Sequence, residues 1–312
     1  MSARPNDFVS LADWPADALR GILARAHELK RAYRSGESPQ TLRGRTLAMY
    51  FEKQTLRTHV TFEAGMTQLG GHAILLRPEQ VGIGTRESAA DVARNLSRWV
   101  HAIVARTYDH ALVEELAEAA TIPVINGLTD LLHPCQAMAD LQTITERADL
   151  ATSPIAYVGD GNNVASSLLN AISVLGGELR LATPRTHLPA PAVRKRAAEL
   201  AQKSGARVLW TEDPVEAVRG ARFVYTDVWT SMGQEDEADQ RRALFEPYQL
   251  NARLLAHAPD VLVMHCLPAH RGEEITDDVL DGPRSIVFDQ AENRLHAQKA
   301  ILEALLLPSP RE

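Results

Sequence analysis

The feature that most constrains this chain is a regular alternation of short apolar runs with longer amphipathic stretches. In the first half the apolar runs are TLAMYF (46–51), HAILL (72–76), AIVAR (102–106) and IPVIN (122–126). Between them lie stretches with helical periodicity, such as RESAADVARNLSRWV (86–100) and HALVEELAEAA (110–120). Short buried strands that alternate with helices are typical of βαβ units. The pattern therefore predicts an α/β fold with mostly parallel strands and helices on both faces of the sheet.

The alternation stops after a long helical stretch, HPCQAMADLQTITERADL (133–150), and then starts again. The second series of predicted strands is IAYVGD (155–160), ELRLATP (178–184), RVLWTED (207–213), FVYTDVW (223–229), VLVMHC (261–266) and SIVFDQ (285–290). We therefore place a boundary near residues 148–153 and predict two domains, 1–150 and 151–291. The amphipathic C-terminal helix at 292–312 can pack on either half, and we expect it to return to the first.

Composition narrows the class of partner. Hydrophobic residues make up 45% of the 312 positions and charged residues 23%, which is ordinary for a globular protein. The net charge of −7 disfavours nucleic acid and anionic membranes as partners. The start lacks the apolar core of a signal peptide, and no run is long enough to span a bilayer. Two cysteines, Cys135 and Cys266, are too few for a disulfide framework, so we expect a reducing cytoplasm.

Polar residues cluster just after the predicted strands, where ligands bind in open α/β sheets. In FEKQTLRTHVTFE (51–63), Thr55, Arg57 and Thr58 come at the start of a predicted helix. Free N–H groups at a helix start favour an anion, and arginine can bind phosphate through two hydrogen bonds. Taken alone, the pattern is also that of a threonine N-cap beside a surface arginine.

Two further polar groups follow strands of the first half. Arg106 ends AIVAR, where a lone arginine more often makes a surface salt bridge. His133 and Gln136 begin the long helix three residues apart, so both side chains can face one site. The alternative is a packed histidine in an N-terminal turn, with Pro134 in the first helical turn.

In the second half, YVGDGNNVASS (157–167) resembles a dinucleotide-binding fingerprint, but Val164 occupies the third glycine position. The next strand also lacks the acidic residue that would bind a ribose, so a dinucleotide site is disfavoured. Asp160, Asn162 and Asn163 suit an amine or a carboxylate instead. In TDVWTSMGQED (226–236), Asp227 can hold a cationic amine, and the stretch after it has the composition of a flexible lid.

The stretch HCLPAHRGEE (265–274) invites metal, nucleophile or substrate-pocket interpretations. His265 and Cys266 are adjacent at a strand end, so we expect their side chains on opposite faces, which argues against a shared zinc. A cysteine nucleophile would need an adjacent base that the sequence does not identify. We therefore expect no metal site and no cofactor.

Taken in order, FEKQTLRT, HPCQAMADL, GDGNNVA, DVWTSMGQE, HCLPAHRGEE and FDQAENRLHAQKA resemble the motifs of the transcarbamylases from about Leu11 to Leu306. DVWTSMG and HCLP resemble the ornithine branch of that family. The resemblance implies transfer of a carbamoyl group from carbamoyl phosphate to L-ornithine, giving L-citrulline and phosphate for arginine biosynthesis. It also implies a homotrimer without a cofactor.

The same resemblance implies roles for individual residues. For carbamoyl phosphate they are Thr55, Leu56, Arg57, Thr58, Arg106, His133, Gln136, Cys266, Leu267 and Arg294. For ornithine they are Asn163, Asp227, Ser231, Met232, Cys266 and Leu267, with the last two at the δ-amine. Arg106, His133, Cys266 and Arg294 would take part in catalysis, with Arg106 and His133 stabilising an oxyanion.

Three positions depart from the family pattern. Leu56 and His59 stand where relatives carry threonine and arginine, and His59 removes a permanent positive charge near the expected phosphate. Gly82 stands where many relatives carry a glutamine that a neighbouring subunit inserts, so Gln80 or Arg86 is the candidate for that role. Three alternatives stay open: an acceptor such as putrescine or acylated ornithine, an NAD-dependent dehydrogenase, and a non-enzymatic small-molecule binder.

Overall fold

The computed structural model describes residues 6–230 and 235–308. The chain divides into two compact units, Met1–Gln142 with Glu292–Glu312, and Thr143–Ala291. None of the described helices is both long and apolar enough to cross a membrane.

The first unit contains a parallel four-stranded sheet in the order β2-β1-β3-β4. Its strands are β1 (Thr46–Phe51), β2 (His72–Leu76), β3 (Ala102–Arg106) and β4 (Val124–Leu128). Its helices are α1 (Ala16–Arg34), α2 (Arg57–Gln68), α3 (Pro78–Val81), α4 (Ala89–Trp99), α5 (His110–Ala119) and α6 (Pro134–Thr145), the last of which ends in the second unit. Strands β3 and β4 are buried along their whole length, which explains why they are mostly apolar.

The second unit contains a parallel five-stranded sheet in the order β7-β6-β5-β8-β9. Its strands are β5 (Ile155–Val158), β6 (Glu178–Ala182), β7 (Arg207–Thr211), β8 (Phe223–Thr226) and β9 (Leu262–His265). Its helices are α7 (Asn163–Leu175), α8 (Pro191–Ser204), α9 (Pro214–Val218), α10 (Ala238–Phe245), α11 (Ala252–Leu255), α12 (Asp277–Leu280) and the start of α13 (Val287–Leu306), which continues into the first unit.

The strand orders show where, in each sheet, the chain stops adding strands at one edge and begins to add them at the other. The chain reverses between β1 and β3 in the first unit and between β5 and β8 in the second. At such a switch point the connections leave on opposite faces, and a crevice opens beyond the carboxyl ends of the two central strands. The polar clusters after β1, β3, β5 and β8 therefore lie at the two crevices.

The predicted α/β class with parallel sheets is confirmed. One predicted strand is wrong: SIVFDQ (285–290) forms a single bridge between Val263 and Ser285 and then enters α13 at Val287. Ile286 still donates its N–H to the Val263 carbonyl. The apolar run thus pairs with the sheet edge at one residue before the helix begins. The pattern of a short apolar run does not show whether the run forms a buried strand or the first turn of a buried helix.

Candidate active site

The start of α2 forms the first part of the site. The Thr55 hydroxyl accepts a hydrogen bond from the Thr58 N–H at 3.2 Å, which shapes the turn into the helix. Arg57 is the first helical residue, and Leu56 precedes it with its side chain 71% exposed. The Leu56 side chain therefore contacts solvent more than the protein interior. The turn presents backbone N–H groups and a guanidinium, which together suit an anion.

Arg294 on α13 links three other polar side chains of the first unit. Its Nη2 donates to Thr58 Oγ1 at 2.9 Å, and its Nη1 donates to His133 Nε2 at 3.2 Å and to Gln136 Oε1. Arg106 at the end of β3 also donates to Thr58 Oγ1, at 3.2 Å. All five side chains are buried. The fold therefore gathers Thr58, Arg106, His133, Gln136 and Arg294 from four elements into one cluster.

The charge of this cluster is strongly positive. Burial, followed by the positive charges of Arg294, Arg106 and Arg57, lowers the pKa of His133 well below its usual value. His133 is therefore neutral near pH 7 and takes part as a hydrogen-bonding group. Three arginines beside a neutral imidazole favour a compact, multiply charged anion such as a phosphate group.

The second cluster lies at the carboxyl ends of β5 and β8. The Asp227 carboxylate accepts from Asn162 Nδ2 at 2.8 Å and from the Cys266 thiol at 2.9 Å. Asn162 also caps α7, since its Oδ1 accepts from Val164 N and Ala165 N. A carboxylate held in place by two neutral donors is oriented to bind a cationic or amine group.

Asp160 has a different role from the one its position indicated. Its carboxylate forms a buried ion pair with Arg241 of α10, and Arg241 Nε donates to the Trp229 carbonyl at 2.5 Å. Burial raises the pKa of Asp160 to about 7, against the opposing charge of Arg241 and with a further rise from Asp227. The Asp160 carboxylate is therefore occupied by its ion pair with Arg241, which also binds the Trp229 carbonyl, and is not available to an amine.

The prediction that His265 and Cys266 face away from each other is wrong. One ring nitrogen of His265, the Cys266 sulfur and an Asp227 oxygen all lie within 4.8 Å of one another. Strand β9 ends at His265, so the alternation of side chains does not extend to Cys266. His265 Nδ1 accepts from Leu267 N at 2.9 Å and Nε2 contacts Glu274 Oε1 at 3.0 Å, so both nitrogens are already used inside the protein.

The same stretch fixes an unusual backbone conformation at Leu267. Its φ is +58°, in the left-handed region that residues with a Cβ rarely adopt. The hydrogen bond from Leu267 N to His265 and the following Leu267–Pro268 cis peptide lie beside Cys266. The backbone N–H of Leu267 is thereby anchored to the His265 ring.

His59, Gln80 and Arg86 make none of the contacts that define these two clusters. His59 Nε2 pairs with Glu63 one helical turn away at 3.1 Å. Gln80 and Arg86 are solvent-exposed in the single chain, and the backbone of Arg86 closes a turn onto Gly82. Asn163 is the first residue of α7. Ser231 and Met232 lie outside the described residues.

Sequence reasoning missed two polar residues. Asp140 accepts from Gln136 Nε2 at 2.8 Å, and the spacing of four residues on one helix was an available signal. Lys53 is buried, with its ammonium 4.3 Å from the centre of the Tyr108 ring. Burial, followed by the charge of Arg106, lowers its pKa. The spacing of the FEK sequence gives no indication of that burial.

Comparisons with known proteins cover nearly the whole chain. A family model described as the carbamoyl-P binding domain of aspartate/ornithine carbamoyltransferase matches residues 6–146, and its Asp/Orn binding domain matches residues 152–305. The ornithine carbamoyltransferase of Anoxybacillus flavithermus is 52% identical over 302 residues, 96% of each chain. The solved ornithine carbamoyltransferase of Pyrococcus furiosus matches with a TM-score of 0.94 at 49% identity over 98% of each chain. That of Thermus thermophilus matches at 0.86 and 44%, over 97% of this chain and 100% of the other.

Proposed function

Because the chain belongs to the aspartate/ornithine carbamoyltransferase family, we propose that it transfers the carbamoyl group of carbamoyl phosphate to L-ornithine. The products are L-citrulline and phosphate, and the reaction serves arginine biosynthesis. The observation that carries the proposal is the buried cluster of Arg106, His133, Gln136 and Arg294 around Thr58.

Residues of the first unit bind carbamoyl phosphate in this proposal. Thr55, Arg57, Thr58 and the Leu56 N–H hold the phosphate at the start of α2. A carbamoyl oxygen accepts hydrogen bonds from Arg106 and His133, and Arg294 adds positive charge; the contacts of these side chains with Thr58 and with one another support this assignment. Preorganised donors in a buried site stabilise the oxyanion of a tetrahedral intermediate more than water does. Gln136 supplies an acceptor for the carbamoyl NH₂ group.

Residues of the second unit bind ornithine. The Asp227 carboxylate, oriented by Asn162 and Cys266, receives an amine of the substrate. Asn163, Ser231 and Met232 contribute to its α-amino and α-carboxyl ends, and Cys266 and Leu267 line the δ-amine and the carbamoyl group. The domain assignment follows: residues 1–150 with 292–312 for carbamoyl phosphate, and 151–291 for ornithine.

The proposed chemistry balances without a protein nucleophile. The neutral δ-amine attacks the carbamoyl carbon, a C–N bond forms, and the C–O bond to phosphate breaks. The departing phosphate takes up the amine proton. The Cys135 thiol is excluded from the role of nucleophile because burial raises its pKa to about 12. The remaining acceleration comes from holding the two substrates in a reactive alignment.

We further propose that the protein works in the cytoplasm as a homotrimer, in which Gln80 or Arg86 reaches a neighbouring subunit's site. The exposure of both side chains in the single chain leaves them accessible to a neighbour.

One assay tests the function directly. Purified protein is supplied with carbamoyl phosphate and either L-ornithine, N-acetyl-ornithine or putrescine, with and without EDTA, and the ureido product is measured. We expect citrulline formation from ornithine, unaffected by EDTA. A higher kcat/KM with putrescine or acetylornithine would replace the proposed acceptor, and no product with any acceptor would remove the proposal.

A further inference from the structure

Asp140 is a buried acid that contacts Gln136 and has no role in the function proposed above. Gln136 and Asp140 lie one turn apart on α6, and their side chains are 1% and 0% exposed. Gln136 Nε2 donates to Asp140 Oδ1 at 2.8 Å, while Gln136 Oε1 accepts from Arg294 Nη1. The amide is thus held at both ends, by the Asp140 carboxyl oxygen on one side and by the Arg294 guanidinium on the other.

The chemistry of these two neighbours decides which way the amide points. A glutamine amide has nearly the same shape when its oxygen and nitrogen are exchanged. A guanidinium can only donate hydrogen bonds and a carboxylate can only accept them. In the observed orientation both bonds form, whereas the flipped amide would face N–H against N–H and oxygen against oxygen. Asp140 and Arg294 therefore select the same orientation.

Asp140 becomes decisive when the substrate is present. In the proposed function, Arg294 also interacts with carbamoyl phosphate, so the substrate competes for its hydrogen bonds. The hydrogen bond from Gln136 Nε2 to Asp140 is on the opposite end of the amide from Arg294, and the substrate does not compete for it. It keeps Oε1 directed forward, and the second lone pair of that oxygen can accept from an NH₂ group.

We propose that Asp140 is a positioning residue that makes the site selective for the NH₂ group of carbamoyl phosphate over acyl phosphates that lack it. This inference rests on the proposed function of the site. An acyl phosphate such as acetyl phosphate carries a methyl group at that position and offers Gln136 Oε1 no donor. Unpaired polar groups facing a methyl group are the usual source of strong discrimination of this kind.

The test compares how the whole protein binds carbamoyl phosphate and acetyl phosphate, using calorimetry in the absence of ornithine. Wild type is compared with Asp140→Asn, which keeps the shape, and Asp140→Leu, which removes the acceptor. Asp91→Asn, an exposed helical acid of the same unit, is the matched control. We expect Asp140→Leu to weaken carbamoyl phosphate binding roughly tenfold, the value of one buried hydrogen bond. Acetyl phosphate and inorganic phosphate should bind to Asp140→Leu as tightly as they bind to wild type.

A second pair of variants tests orientation directly. Gln136→Glu places two carboxylates against each other and should weaken carbamoyl phosphate binding strongly. Adding Asp140→Asn lets the new asparagine donate to the new glutamate, whose other oxygen still accepts from Arg294. The double variant should therefore bind carbamoyl phosphate more tightly than Gln136→Glu alone, and it should regain part of the preference for carbamoyl phosphate over acetyl phosphate, which relief of charge repulsion alone does not restore.

The outcomes separate the inference from the function on which it rests. The inference would be overturned if both Asp140 variants bound carbamoyl phosphate and acetyl phosphate more weakly by the same factor, or if the ratio of the two dissociation constants stayed as in wild type. Absence of rescue in the double variant would do the same. Because these readouts are binding ratios, they are independent of citrulline formation, whose absence in wild type would count against the proposed function instead.

Discussion

Replacing Arg241 with methionine should destabilise the second unit by an amount that increases with pH. Arg241 is 5% exposed and forms the buried ion pair with Asp160. Methionine keeps most of the side-chain volume but removes the charge and the hydrogen bond to the Trp229 carbonyl. Asp160 is then left buried with the repulsion of Asp227 and without its cation.

The sign follows from the pKa of Asp160. Burial raises this pKa from 3.8 to about 7, so the folded state holds a proton that the unfolded state has lost between these values. The contribution of this group to stability therefore falls as pH rises toward 7 and is level above it. The charge of Arg241 lowers the pKa of Asp160, so the variant's pKa lies above that of wild type.

Above pH 7 the contribution of Asp160 to the free energy of unfolding stays constant in the wild type, whereas in the variant it continues to fall. The loss is at most about 1.4 kcal/mol per pH unit for one titrating group, so it reaches up to about 3 kcal/mol between pH 7 and pH 9. The lost hydrogen bond to Trp229 adds roughly 1 kcal/mol that does not depend on pH.

Thermal unfolding at pH 6, 7, 8 and 9 measures the effect, with roughly 2–4 °C expected per kcal/mol for a unit of this size. Asp160→Asn/Arg241→Met is the matched control, because it lacks the Arg241 cation, as the single variant does, and also lacks the titrating carboxyl. Its difference from wild type should show no rise above pH 7. If Arg241→Met alone loses the same number of degrees at pH 6 and pH 9, Asp160 is not the titrating group and the reasoning is refuted.

Three further predictions concern the substrates. Arg57→Ala should weaken carbamoyl phosphate binding by about one to two decades, because one charged hydrogen-bonding group is lost; calorimetry that finds unchanged binding removes Arg57 from the site. Cys266→Ser should raise the KM for ornithine more than that for carbamoyl phosphate, since the thiol contacts Asp227 at 2.9 Å; a carbamoyl-thioester trapped on wild-type Cys266 would contradict this. Arg86→Ala and Arg57→Ala chains, each inactive alone, should regain activity when unfolded and reassembled together, because some junctions then contain both arginines. Near-normal activity of Arg86→Ala by itself, or mixed trimers that stay inactive, would mean that Arg86 is not shared between subunits.

The local elements follow closely from the pattern of residues. A parallel strand covered by helices must be apolar along its length, and AIVAR at β3 shows this directly. The end of each central strand is then marked by the first polar residues after it, which is why Arg106 and Asp227 could be named in advance. SIVFDQ failed because a buried strand and the first turn of a buried helix present the same short apolar run.

What the sequence by itself determined was therefore the class of fold, every strand that the structure describes in the two sheets, and the chemical types of residue at the carboxyl ends of those strands; SIVFDQ was one predicted strand too many. Only the tertiary structure decided which of these residues meet. Arg294 and Thr58 are 236 positions apart, and Arg241 and Asp160 are 81 apart, yet each pair shares a hydrogen bond. The partner of a buried polar group depends on how remote elements pack, and packing leaves no period in the sequence.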